Sequence, residues 1–374
     1  MKKKCLGNGK KIVVKIGSSL ITASSGKLDS RRMKSLVNQV ATLKKRGHQV
    51  LIVTSGAIAA GVECLGLKTR PKEIPELQAA ASVGQGLLIE RYANLLDKHG
   101  FKVGQVLITQ FDIIHRQQYL NARNTLNKLF ALGVVPVVNE NDTTAVDEIK
   151  FGDNDTLAAL VASLIQADLL ILLSDIEGLY TVDPRLNKDA QLIREVKKIT
   201  PEIELLAGGV GTKFGSGGMV TKIQAGKITT FAGVRMVIVD GSKPNVILDV
   251  VEGKPIGTVF LPKNKRTSSK KLWIAFGRTS EGKLMVDDGA KKAIVEGKKS
   301  LLPAGTVDCY GKFNIGDAVD IIDLNGAPFA KGLTNFDSDE VKKIKGLRRN
   351  EVIKKLSDGA SEEIIHRDCL VVLH

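Results

Sequence analysis

Gln49-Val50-Leu51-Ile52-Val53-Thr54-Ser55-Gly56-Ala57-Ile58-Ala59-Ala60-Gly61 passes from an unbroken apolar run directly into small and hydroxylated residues. An apolar run without alternation is what a strand buried on both faces looks like, and small residues after it can open a helix. The same pattern recurs at Lys11-Ile12-Val13-Val14, Val134-Val135-Pro136-Val137-Val138, Leu169-Leu170-Ile171-Leu172-Leu173 and Val234-Arg235-Met236-Val237-Ile238-Val239. Helical patterns lie between. In residues 30–46, Met33, Leu36, Val37, Val40 and Leu43 recur at three and four residues, with Ser30 available as a cap. Strands alternating with helices predict an α/β fold, a three-layer α/β/α sandwich with a mainly parallel central sheet. In such sheets ligands bind at the carboxyl ends of the strands.

The residues after each strand are therefore where chemistry is expected. Lys15-Ile16-Gly17-Ser18-Ser19 offers an ammonium, a glycine that lets backbone approach a ligand, and N–H donors from a helix start. It suits a phosphate, or it is a plain surface turn; no GxxxxGK[ST] loop occurs in the chain. The segment 54–61 suits a carboxylate or phosphate, or serves close helix packing. Asn139-Glu140-Asn141-Asp142, Glu148 and Phe151-Gly152-Asp153-Asn154-Asp155 crowd carboxylates and amides behind a buried strand, which is costly unless they bind something. That mixture fits an amino acid, with carboxylates facing its ammonium and amides facing its carboxylate. Asp155, at the start of an apolar helix over 156–165, is fixed so as to orient lysines or approach a metal–phosphate complex. Ser174-Asp175, with Gly178-Leu179-Tyr180 and Asp183-Pro184-Arg185, forms a polar turn suited to a nucleotide. The glycine-rich stretch 208–218 leads to Met219-Val220-Thr221-Lys222, a second lysine at a helix start, as a phosphate cradle or lid requires.

The chain has 374 residues, enough for about two domains. Near residue 262 the character changes. Residues 263–280 begin with a polar, basic stretch that reads as a linker, dividing a domain at 1–262 from one at 281–374. In the latter, short strand-like pieces separated by turns such as Asn325-Gly326 predict a small β-rich barrel. Cys5, Cys64, Cys309 and Cys369 form no CxxC pair and have no histidine cluster, so neither a zinc site nor a disulfide framework is expected. The charged start is followed by Leu6-Gly7-Asn8-Gly9-Lys10-Lys11 where a signal peptide needs an apolar region. No apolar stretch approaches the roughly 20 residues that span a bilayer. A cytoplasmic protein with no membrane contact is expected.

These strand-end segments, in this order and spacing, resemble the amino acid kinase family, in the branch acting on glutamate. The discriminating pieces are residues 54–61, where related kinases usually carry a run of glycines, Asn139-Glu140-Asn141-Asp142, Gly152-Asp153-Asn154-Asp155, and Gly217-Gly218-Met219 with Thr221-Lys222. The tail from about Glu281, with Asp287-Asp288-Gly289-Ala290, Ser300-Leu301-Leu302-Pro303 and Gly311-Lys312-Phe313, resembles a PUA domain. The resemblance implies transfer of the γ-phosphoryl group of ATP to the side-chain carboxylate of L-glutamate, the first step of proline biosynthesis, without a phosphoenzyme. It assigns Lys15, Asp155 and Lys222 to catalysis, the lysines neutralising the phosphoryl group and Asp155 orienting them. For ATP it implies Lys15, Gly17, Ser174, Asp175, Ser216, Gly217, Gly218, Met219, Val220, Thr221 and Lys222; for glutamate, Ser55, Asp142 and Asn154, supported by Asn139. Mg²⁺ is implied on the ATP phosphates, with no protein residue assigned as its ligand. The resemblance further implies feedback inhibition by proline through the loop 141–150, a homo-oligomer (dimer or tetramer), and hand-off of the product to glutamate-5-semialdehyde dehydrogenase. Residues 110–115, Lys213-Phe214 and Val220 depart from the family pattern.

Two other readings compete: a related kinase for another carboxylate or carbamate, and an RNA-binding regulatory protein acting through the PUA-like tail. The net charge of +15 invites the second. Residues 266–374, however, carry 19 basic against 16 acidic side chains, while residues 1–265 carry 36 against 24. The excess lies on the kinase-like part. His366-Arg367-Asp368 imitates a protein-kinase catalytic loop, but only six residues follow it.

Overall fold

The computed structural model describes residues 6–23, 27–109, 112–113, 115–144, 154–207, 218–262, 267, 269–276, 279–355 and 362–373. Ser216 and Gly217 of the expected nucleotide segment, Gly152 and Asp153, and residues 145–150 of the expected inhibitor loop lie outside these. The chain divides into two compact units, Met1–Arg266 and Thr267–His374. Among the described residues no helix is long and apolar enough to cross a membrane.

The first unit is built on an eight-stranded sheet of β1 (Lys11–Ile16), β2 (Gln49–Thr54), β3 (Val103–Ile108), β4 (Val135–Glu140), β5 (Leu169–Ser174), β6 (Glu195–Val196), β7 (Arg235–Asp240) and β8 (Thr258–Phe260). Their spatial order is β3-β4-β2-β1-β5-β7-β8-β6. The strands from β3 to β7 in that order are parallel; β8 runs antiparallel to β7 and parallel to β6. The five apolar runs of the sequence are β1, β2, β4, β5 and β7, the central strands, whose residues are almost all buried. β3 and β6 lie at the sheet edges and β8 is three residues long, so none of them carries an unbroken apolar run.

Side-chain parity decides what each strand offers to each face. Ile12, Val14, Ile16, Val50, Ile52, Val135 and Val137 join one core with residues of the helices Ser30–Lys45, Ala57–Cys64, Ile74–Asp97 and Val246–Val251. Thr54 and Asn139 share that parity. Lys15 and Val13 point to the opposite face, where the helices Asn154–Leu164 and Met219–Ala232 pack against each other. The helix Ser30–Lys45 is capped one residue earlier than expected: Asp29 Oδ1 accepts from the backbone N–H groups of Arg31 and Arg32 at 3.0 and 3.1 Å, and Ser30 is already helical.

The second unit carries a five-stranded sheet, β10-β9-β11-β12-β13, from β9 (Gly282–Val286), β10 (Thr306–Gly311), β11 (Ala318–Ile322), β12 (Pro328–Leu333) and β13 (Leu370–Val372). All its pairings are antiparallel except β9 with β11. Gly326 turns the chain between β11 and β12 at φ +79°, and Asp323 Oδ1 accepts from the N–H groups of Asn325 and Ala327. Part of the stretch expected as linker is helical: Ser269–Phe276 buries Leu272, Trp273, Ile274 and Ala275 and packs on β12 and β13. Its polar beginning hid four consecutive apolar residues that have a sheet to cover.

Candidate active site

β1, β2, β4, β5 and β7 are parallel, so their carboxyl ends deliver Lys15 and Gly17, Thr54 and Ser55, Asn139 and Glu140, Ser174, and Asp240 to one edge of the sheet. Two clusters form there, joined by the consecutive residues Asn154 and Asp155.

The first is charged. Lys15 Nζ lies 2.6 Å from Asp155 Oδ1, and Lys222 Nζ lies 3.0 Å from Asp155 Oδ2. Thr221 Oγ1 donates to the same Oδ2 at 3.0 Å and to the carbonyl of Gly218 at 2.8 Å. Lys15, Asp155 and Lys222 are 8%, 1% and 6% exposed. Burial pushes the Asp155 carboxyl up, but the neighbouring Lys15 and Lys222 outweigh it and hold the group down at about 2. The first turn of the helix Asn154–Leu164 adds its own preference for a carboxylate. Breaking a buried pair of this kind strands a charge and is strongly destabilising. Two ammonium groups meet this one carboxylate. Three helix starts follow strand ends or glycines at the same edge without side-chain caps: Gly17 precedes Ser18–Ile21, Gly56 precedes Ala57–Cys64, and Gly218 precedes Met219–Ala232; the first and last lie beside the lysines. A Cβ on Gly17 would stand 3.5 Å from Lys15 Nζ, so the glycine keeps the approach to that ammonium open. Uncapped N–H groups beside two lysines make an anion cradle.

The second cluster is neutral. Asn154 Nδ2 donates to the Thr54 carbonyl at 2.8 Å, to Ser55 Oγ at 2.7 Å and to Asn139 Oδ1 at 3.2 Å. Asn139 Nδ2 in turn donates to Gln85 Oε1 at 2.8 Å. Among the described residues Asn154 Oδ1 is buried without a hydrogen-bond partner. A buried acceptor left open is costly, and a donor from a ligand or a water would satisfy it. The expectation that amides face a ligand's carboxylate is thus altered at Asn154, which presents an acceptor and suits an ammonium. Ser55, accepting from Asn154, keeps its own hydroxyl hydrogen for a further acceptor.

The remaining expected residues are dispersed along the same edge. Ser174 is buried and donates to Asp175 Oδ1 at 3.2 Å, while Asp175 is exposed. Met219 and Thr221 are half-buried, and Gly218 and Val220 are exposed. Asp142 is half-buried in the turn after β4. The stretch 54–61 serves both of its open readings. Ser55 joins the amide cluster; Gly56 sits at φ +105°, which only glycine adopts without strain; and Gly61 is a packing residue, since a Cβ there would stand 1.7 Å from the carbonyl oxygen of Ala80.

Gln85 escaped the sequence reading because it lies inside the long helix Ile74–Asp97, remote from any strand end. The signal was present as Gly84-Gln85-Gly86, two glycines in a helix interior, which are unfavourable without a packing reason. A Cβ on Gly84 would stand 1.9 Å from the Ala57 carbonyl oxygen, so backbone contact with the helix Ala57–Cys64 supplies that reason.

The large, mainly parallel sheet and the small second sheet agree with the comparison to known proteins. The model of the amino acid kinase family matches residues 10–240, and that of the PUA domain matches residues 282–356. The chain belongs to the amino acid kinase family and carries a PUA domain. Among its curated relatives are the glutamate 5-kinases of Thermoanaerobacter pseudethanolicus and Caldanaerobacter subterraneus subsp. tengcongensis. Each is 50% identical over 363 residues, covering 97% of this chain and 98% of the relative. Among solved structures, the UMP kinase of Bacillus anthracis matches 70% of this chain and 100% of its own at 14% identity and a TM-score of 0.47.

Proposed function

We propose that the protein transfers the γ-phosphoryl group of ATP to the side-chain carboxylate of L-glutamate, yielding L-glutamyl 5-phosphate and ADP. The observation that carries this reading is the buried Lys15–Asp155–Lys222 bridge beside an amide cluster with an open acceptor. A carboxylate oxygen attacks the γ-phosphorus, the new P–O bond forms, and the bond to the bridging β,γ-oxygen breaks with its electrons leaving on ADP. The attacking carboxylate is already ionised near neutral pH, so no general base is needed. Asp155 suits that demand: held at about 2 and engaged by both lysines, it orients rather than abstracts. Phosphoryl transfer asks mainly for positioning and for charge on the transferred oxygens. Lys15 and Lys222 supply the charge, and the uncapped helix starts after Gly17 and Gly218 cradle phosphate oxygens.

Ser174, Asp175 and residues 216–222 form the nucleotide side in this reading, and Ser55, Asp142, Asn154 and Asn139 the glutamate side. Asn154 Oδ1 receives the α-ammonium group, and the Ser55 hydroxyl donates to a carboxylate. Both Asp155 oxygens face cationic groups and do not fit a metal ion; in this reading Mg²⁺ arrives on the ATP phosphates. An acyl phosphate is labile in water, so an enzyme that reduces it, glutamate-5-semialdehyde dehydrogenase, is the partner that fits next. A free α-ammonium and α-carboxylate are shared by all amino acids, and proline as an end-product inhibitor competes for the same groups.

The test is ATP turnover by the full chain with glutamate, aspartate or acetylglutamate, trapping the acyl phosphate with hydroxylamine. Hydroxamate forming with glutamate well above the other two is the expected result. Turnover that ignores glutamate, or a clear preference for acetylglutamate with its blocked amine, would sink the reading.

A further inference from the structure

From the amide cluster we infer that Gln85 is a positioning residue for the amino-acid acceptor: through Asn139 it fixes the direction in which Asn154 presents its oxygen. The inference rests on the carboxylate-kinase reading above and adds a residue to it.

The chain of amides starts at a group that cannot turn. The Thr54 carbonyl is backbone and only accepts, so the Asn154 end facing it is the NH₂ end, 2.8 Å away. The other end, Oδ1, is then committed to the interior, where it is buried without a partner among the described residues. The same NH₂ meets Asn139 at 3.2 Å, so Asn139 must offer its oxygen there and its own NH₂ on the far side. That NH₂ meets Gln85 at 2.8 Å, so Gln85 must offer Oε1. Each amide is polarised by the next in one direction, and Gln85 is its last member, with Nε2 buried and without a partner among the described residues. Without an acceptor at residue 85, the Asn139 NH₂ on that side is left unsatisfied. A turned Asn139 then sets NH₂ against the Asn154 NH₂, and Asn154 loses one of the contacts that fix the direction of its oxygen.

The helix that carries Gln85 is held in register for this task from two sides. Gly61 and Gly84 allow the helices Ala57–Cys64 and Ile74–Asp97 to meet backbone to backbone immediately beside Gln85. Two turns further along the same helix face, the Tyr92 hydroxyl is 2.9 Å from Thr54 Oγ1. Thr54 and Asn139 share the strand parity that points them at this helix. Gln85 and Tyr92 thus make parallel polar links from one helix to two neighbouring strand ends, but only Gln85 is linked to the open acceptor. That difference separates positioning from mere support.

The experiment is steady-state kinetics in both substrates, with thermal unfolding, for Gln85→Met, Gln85→Glu and Tyr92→Phe in the full chain. Losing one hydrogen bond that aligns a binding group corresponds to about a tenfold effect. Gln85→Met is expected to raise the KM for glutamate by that factor while leaving the KM for ATP and kcat near wild type. Gln85→Glu keeps an acceptor for Asn139 Nδ2 and is expected to recover most of the loss. Tyr92→Phe is expected to lower thermal stability without moving either KM. A Gln85→Met protein with wild-type glutamate KM would overturn the inference. So would Gln85→Glu as impaired as Gln85→Met, or a Tyr92→Phe protein with the same KM defect, which would trace the effect to a loosened helix. Failure of the underlying reading appears elsewhere, as wild-type protein that does not phosphorylate glutamate at all.

Discussion

The two halves of the site meet at the consecutive residues Asn154 and Asp155 and solve different problems. In one, Lys15, Asp155 and Lys222 place full charges at 2.6 and 3.0 Å, nearly out of contact with water. In the other, Gln85, Asn139, Asn154 and Ser55 use neutral groups whose value is direction rather than charge. A phosphoryl group in flight carries diffuse negative charge, which compact cations stabilise from any suitable distance. An amino acid presents an ammonium and a carboxylate close together, and separating them requires donors and acceptors of fixed orientation. The contrast teaches that charge can be placed by a few residues with strong mutual attraction, whereas orientation needs a longer chain of support reaching into the helix layer.

The largest expected effect tests the charged half directly. Lys15→Ala or Lys222→Ala, each removing a cation from the transferred group, should lower kcat by about 10²- to 10³-fold, the usual cost of deleting a transition-state electrostatic contact. The KM for glutamate should change little, because the amide half is untouched. Steady-state rates varied in each substrate check this. A loss confined to the glutamate KM would erase the proposed division of labour.

A smaller effect reads the same cluster through pH. The Asp155 carboxyl is held at about 2 in the folded chain, below its ordinary value near 3.9 when unfolded. A lowered carboxyl contributes stability above the unfolded value and loses it as pH falls through the folded one. The contribution is on the order of 2 kcal/mol, present above about pH 4 and fading towards pH 2. Urea unfolding of wild type and Asp155→Asn across that range should show a gap at pH 5 that narrows as the solution is acidified. The narrowing follows because protonated Asp155 and asparagine leave the lysines in the same unpaired state. A gap independent of pH would mean that Asp155 acts in stability through packing alone.

Much of this arrangement was legible in the chain. The five buried runs gave the central strands, and their ends gave Lys15, Ser55, Asn139, Asn154 and Asp155, because buried polar residues next to apolar runs are conspicuous. Lys222 was legible as a lysine opening a helix after glycines. What the sequence concealed was partnership across elements. Gly84, next to Gln85, marks a close helix contact but does not say that Gln85 faces Asn139, 54 residues away; the helix contact at Gly61 and Gly84 and the link from Tyr92 to Thr54 bring them together. The direction of the Asn154 amide was likewise hidden, since it is fixed by the Thr54 carbonyl, 100 residues distant. Edge strands escaped for a physical reason too: β3 is half-exposed and carries no continuous apolar run. In the second unit, β11 was readable from its β-branched residues and β12 from the Asn325-Gly326 turn before it, whereas β10 mixes an aspartate and exposed positions with few buried ones, and β13, though wholly apolar, is only three residues long.

The smallest effect separates helix starts that serve the fold from those assigned to phosphate. The helices beginning at Ser30, Asp288 and Ser338 are capped by the side chains of Asp29, Asp287 and Asp337, the last as a full capping box with Glu340. The helices beginning at Ser18, Ala57 and Met219 follow glycines and have no such cap, and those beginning at Ile74, Arg116, Pro201 and Val246 lack one as well, so an open start is necessary for phosphate but does not by itself mark it. An aspartate satisfies the first N–H groups permanently and favours the positive end of the helix. A phosphate-binding start must leave those groups free, and a carboxylate there would repel the ligand. Asp29→Ala should therefore cost about 1 kcal/mol of stability, as cap removal usually does, and leave turnover and both KM values unchanged. Denaturant unfolding and steady-state kinetics measured together check it, and a drop in turnover at full folding would show that the capped helix also serves the reaction.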